Sequence, residues 1–139
     1  MKPTRLRYLP LPLITLILEL LPYGAVCNFA NPEGDPFRKT FSYFDLTPFG
    51  YANFSPLLTA LLTCALTVLL VYFLFSGSRR VARVATILSL VACVLSLCPL
   101  LYGIRFYSVV GGLITLTLFM EAALLYGGLA SKKVKESDL

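Results

Sequence analysis

Four stretches of about 20 apolar residues, each close to the length that crosses a bilayer as a helix, constrain this chain more than any other feature. They run roughly from Tyr8 to Cys27, Ser55 to Phe75, Val84 to Gly103 and Ser108 to Ala130. At about 1.5 Å per residue each could span a hydrocarbon core of about 30 Å. Lipid offers the backbone no hydrogen bonds, so leucine-rich runs of this length predict helices. The expected fold is all-α: a polytopic four-transmembrane-helix bundle, one domain over 1–139, with an outer loop at 28–54 and a tail at 131–139. Composition agrees, because 14% charged residues is well below the roughly 25% of soluble domains.

Basic residues suggest an orientation. Lys2, Arg5 and Arg7 precede the first segment, Arg79, Arg80 and Arg83 separate the second from the third, and Lys132, Lys133 and Lys135 follow the fourth. The first and third connections carry only Arg38, Lys39 and Arg105. The positive-inside rule then places both termini in the cytoplasm, with a bacterial cytoplasmic membrane as the expected location. Topology and anionic headgroups account for the net charge of +5 without nucleic acid. The expected partners are the lipid bilayer and either another membrane protein or a second copy.

The first segment also has the outline of a secretory signal peptide. Val26 fits poorly before a processed Cys27, no A-x-A pattern occurs, and Glu19 sits within the apolar region, so a retained span is expected.

In the outer loop, Asp35 and Pro36 are suited to start a helix, and Phe37, Phe41 and Phe44 follow at helical spacing. The spacing predicts a short amphipathic helix in the first extracytoplasmic loop, lying along the interface. Thr47-Pro48-Phe49-Gly50 reads as a turn. With Phe49 and Tyr51, these rings form either a partner surface or an aromatic interface belt.

Small and hydroxyl residues mark expected helix contacts. They are Thr59, Thr63 and Thr67 in the second segment, Ala85, Ser89 and Cys93 in the third, and Gly111, Thr115, Ala123, Gly127 and Ser131 in the fourth. Cys27, Cys64, Cys93 and Cys98 form no C-x-x-C, and the chain has no histidine, so neither a metal site nor a cofactor is expected. Cys27 and Cys98 could approach at the outer end, although packing as small apolar residues is the simpler expectation.

Two acids interrupt the apolar segments. Glu19 lies roughly 18 Å in from Arg7 and Glu121 roughly 17 Å in from Lys132, which predicts nearly equal depth. A charged acid at a helix centre costs about 2.5–3.5 kcal/mol on insertion scales, so both should face the bundle interior. Thr15 and Thr117 each precede an acid by one turn, Tyr23 follows Glu19 by one turn, and Pro22 should deprive the Leu18 carbonyl of its donor. The string LITL occurs at 13–16 and 113–116, a short match that chance explains better than an inverted repeat does. Glu19, Glu121, Thr15, Thr117, Tyr23 and Leu18 thus define a candidate intramembrane polar site, whose acids either meet as a proton-sharing pair or pin the helices as neutral hydrogen-bonding groups.

Four short spans with an acid in the first resemble the layout of small multidrug resistance transporters. The resemblance covers span count and Glu19, and it implies that protons and cationic solutes alternate there. The chain departs from that family in lacking tryptophan, in its long first connection and in its one-sided basic bias. No other residue is carried over.

No nucleophile or phosphate-cradling motif is present, and an enzyme is not expected. The expected function is an accessory or interaction subunit of a membrane assembly. Proton- or cation-coupled transport of a small solute through Glu19 and Glu121 is the alternative.

Overall fold

Pro22 ends the first apolar segment early. In the computed structural model, which describes residues 3–50 and 53–137 and the side chains of 5–50 and 53–130, a 3-10 segment, Pro3–Tyr8, leads into α1, Pro10–Leu20. Leu21 then turns extended, with ψ 139°, the geometry that a following proline favours. The 11 residues of α1 reach only about 16 Å. The expected continuous helix over 8–27 is therefore corrected: its last residues enter a β-strand.

That strand, β1 (Ala25–Phe29), pairs antiparallel with β2 (Phe37–Phe41), and Phe29 lies opposite Phe37. The hairpin replaces the amphipathic helix expected from Asp35 onward. A spacing of four places Phe37 and Phe41 on one face of a helix and equally on one face of a strand. Pairing with β1 decides between them, and the Phe29 ring stacks on Phe37 at 5.3 Å. A short helix, α2 (Leu46–Gly50), forms where a turn was expected.

Three helices are long and apolar enough to cross a membrane. The first is α3, Ser55–Ser76. The second is α4, Arg79–Leu97, continued by a 3-10 turn to Tyr102. The third lies within α5, Val109–Ser137, and extends to Ala130. Pro56 suits the first turn of α3, where its missing N–H costs nothing. Gly77 ends α3 in the left-handed region, φ 59°, a conformation that side chains disfavour. Four full spans are not reproduced, and the hairpin makes the fold mostly helical instead of all-α.

The helices close a ring in which α1 packs on α3 and α5, and α4 packs on the same two from the other side. α1 and α5 run antiparallel: Tyr8 meets Gly128, Thr15 meets Thr117, and the Gly24 carbonyl meets Ser108. Leu66, Leu70, Ile114, Leu118 and Leu125 fill the interior, together with the small residues Ala60, Ala85 and Ala92. Val68, Phe75, Ile87, Val94 and Phe119 face outward, as expected where the solvent is lipid. Gly111 and Ser89 join the interior, whereas Ala123 and Gly127 are exposed and do not continue the expected seam. In their place Gly128 receives the Tyr8 ring, whose hydroxyl occupies the space a side chain would need. At the other end the Tyr43 ring covers Gly24 in the same way.

One end of the ring gathers basic side chains. Arg5 Nη1 donates to the Leu74 carbonyl at 3.3 Å, and Arg7 Nη2 donates to the Tyr8 hydroxyl at 2.8 Å. Arg79 and Arg83 stand beside Tyr126 and Leu129 at that same end. At the hairpin end, Arg38 donates to the Tyr107 carbonyl at 3.2 Å.

Candidate functional site

Hydroxyl groups on neighbouring helices hold the polar interior together. Every fourth residue of α1 from Thr15 faces inward, so Thr15 and Glu19 are both buried. On α3 the same period brings Thr59 and Thr63 inward. Thr63 Oγ1 donates to Glu19 Oε1 at 2.8 Å and also lies 3.0 Å from the Thr59 carbonyl. Glu19 Oε2 has no partner.

Thr15 Oγ1 donates to Thr117 Oγ1 at 2.8 Å, and Thr117 donates onward to the Ile114 carbonyl at 2.9 Å. Both threonines named with the acids therefore meet. The acids do not. Each follows its threonine by four residues on antiparallel helices, so Glu19 lies about 6 Å toward the hairpin and Glu121 about 6 Å toward the basic end. The expected equal depth is corrected to a separation of about 12 Å along the axis. Counting inward from Arg7 and Lys132 failed because those residues stand at different levels: Gly128 meets Tyr8, so position 132 lies about one turn further out along α5.

Glu121 is 1% exposed, and neither carboxyl oxygen has a hydrogen-bond partner. Natural interiors leave few buried polar atoms unpaired, and each one calls for an explanation. Three of the four carboxyl oxygens on the two acids are in that state.

Two other site assignments change. Tyr23 is 58% exposed beyond the end of α1, and the tyrosine beside Glu19 is Tyr43 from the hairpin end. Its N–H donates to the Glu19 carbonyl at 2.9 Å, and its side chain is 1% exposed. The Leu18 carbonyl is not free, since the Leu21 N–H donates to it at 3.3 Å. A tightened last turn thus supplies the donor that Pro22 lacks.

On the α4 and α5 side of the interior, a hydroxyl cluster joins these helices to the hairpin end. Thr115 Oγ1 lies 2.7 Å from both Ser96 Oγ and Tyr107 Oη, and the Tyr43 hydroxyl is 3.5 Å from Ser96. Below it, Ser89 donates to the Leu118 carbonyl at 2.8 Å. The four-residue threonine stripe signalled Thr63 as a contact residue without revealing its acid. Tyr43 carried no such signal, because its place depends on the hairpin register.

Among the loop rings, Phe37 and Phe49 are exposed at 53% and 40%, whereas Phe41 and Phe44 pack partly buried against the core. Tyr51 lies outside the described residues. Cys27, Cys64, Cys93 and Cys98 are all free thiols. No group of three or more metal-binding side chains occurs among the described residues. Comparison with protein-family models, with curated proteins and with solved structures finds no match.

Proposed function

We propose that this chain is a small polytopic membrane protein whose interior takes up and passes protons or a small monovalent cation, with Glu19 and Glu121 as two separate stations. The observation that carries this reading is the pair of fully buried acids with three unpartnered oxygens. A bundle shaped only for stability gains by replacing such groups with apolar ones, and ionisable residues within spans mark functional sites by default. Thr63 adds a chemical reason. Its single hydroxyl proton faces two acceptors, Glu19 Oε1 and the Thr59 carbonyl. A proton on Glu19 satisfies both contacts, since the acid then donates to Thr63 and Thr63 to Thr59.

In this reading α1 and the preceding 3-10 segment form the fourth wall of the bundle, with both termini in the cytoplasm. The test is proton flux into liposomes containing the purified protein, driven by a potassium diffusion potential. Flux that falls at least tenfold in Glu19→Gln and in Glu121→Gln supports the proposal. Flux equal to that of protein-free liposomes, or unchanged in both variants, overturns it.

A second reading, an accessory subunit or a homo-oligomer, is favoured by the exposed Phe37 and Phe49 rings on the outer cap. Loss of a co-purifying membrane protein, or of a second copy, in Phe37→Ala and Phe49→Ala would support it. Phe41 and Phe44 are unsuitable probes because they support the core.

A further inference from the structure

At the basic end, the ring of helices leaves a cleft of about 770 Å³ between the start of α4 and the last described turns of α5. Its size falls within the roughly 300–1,000 Å³ of small-molecule sites. Arg79, Arg83 and Ile87 line the α4 side at successive turns, while Tyr126 and Leu129 line the α5 side. Along α4, charge gives way to an apolar side chain with depth. Arg79 is at the mouth, and Ile87 lies about 12 Å deeper along the helix.

We infer that this cleft binds one acidic phospholipid, with its phosphate between Arg79, Arg83 and the Tyr126 hydroxyl and an acyl chain running inward along Ile87. Three observations select this occupant. Arg83 is exposed and makes no hydrogen bond or ion pair among the described residues. The first turn of α4 carries arginines and no acid, which places positive side chains at the positive end of a helix dipole. An anion beside Arg83 is attracted by the guanidinium and by the helix end, and basic pockets between spans are recognised sites for phospholipid headgroups. Finally, Ile87 and Tyr126 are 61% and 68% exposed, so the cleft opens sideways toward lipid and can admit a tail as well as a head.

The test uses the full chain purified in a neutral detergent, with bound lipid counted by native mass spectrometry during titration with phosphatidylglycerol or phosphatidylcholine. One phosphatidylglycerol should bind per chain, at least tenfold more tightly than phosphatidylcholine. Arg83→Ala should weaken it roughly fivefold, the effect of losing about one surface-basic contact. Ile87→Trp should weaken it by filling the tail region. Arg80→Ala removes the same charge from an exposed position outside the cleft and should leave binding unchanged. Equal losses in Arg80→Ala and Arg83→Ala would reduce the effect to general surface charge and overturn the inference. So would equal binding of the two lipids. Inorganic phosphate that displaces the lipid completely at equal concentration would show a free-anion site instead, and would also overturn it.

Discussion

The Thr15 and Thr117 hydroxyls meet at 2.8 Å, and from that level the two buried acids diverge. Both helices carry the pattern T-x-x-x-E, at 15–19 and 117–121. Because the helices are antiparallel, the same four-residue step sends Glu19 toward the hairpin and Glu121 toward the basic end. The pair thus marks a point of local twofold symmetry, and a carboxyl dyad sharing one proton is geometrically absent.

Thr15→Val and Thr117→Val should each lower stability by about 0.6 kcal/mol, the average for an interhelical hydrogen bond in a membrane protein. The double variant should cost less than the sum of the two. Unfolding measured by steric trapping in bicelles would check this, and strict additivity would show that the two hydroxyls do not interact.

Glu121→Met should stabilise the fold. Both carboxyl oxygens are buried without partners, and an unsatisfied buried polar group costs about 1–3 kcal/mol. The same variant should lose proton flux, so that stability and activity move in opposite directions. A less stable Glu121→Met would mean that the carboxyl has a partner after all, such as trapped water.

Gly24→Ala should destabilise by about 1–3 kcal/mol, the usual cost of overpacking. Its added carbon would stand 2.8 Å from Tyr43 Cδ1, a ring atom that cannot give way by rotating a flexible end. Tyr43→Leu should remove most of that penalty in the double variant. Thermal unfolding of the four proteins in one detergent would reveal the coupling.

Cys27 lies directly opposite Lys39 in the hairpin register, within the range of Cα separations that a disulfide spans. Lys39→Cys should therefore crosslink to Cys27 on mild oxidation, and peptide mapping would identify the bond. Burial first, and then the Asp45 carboxylate, push the Cys27 thiol above its ordinary value. Its thiolate population falls accordingly, so the crosslink should form slowly near neutral pH and faster as pH rises. A helix over these residues would leave the two sulfurs apart and give no bond.

Hydropathy made three membrane-length helices legible because burial in lipid demands long, unbroken apolar runs. The inward placement of Glu19, Glu121, Thr15 and Thr117 was readable for the same reason, since lipid penalises their exposure. The end of α1 was only half visible. Pro22 and Gly24 stand in plain view, yet segment length alone carried the helix on to Cys27, whereas the backbone obeys the proline. The hairpin was hidden because Phe37 and Phe41 satisfy two periodicities, and only the partner strand, distant in sequence, distinguishes them. Tyr43 became a neighbour of Glu19 through that pairing, so no local pattern could announce it.

Tyrosine seated over glycine closes the packed bundle at either end. With no side chain on Gly24 or Gly128 to lift the rings, Tyr43 and Tyr8 sit flush. Both ends of the bundle are thus closed over the interior that holds the two carboxyls.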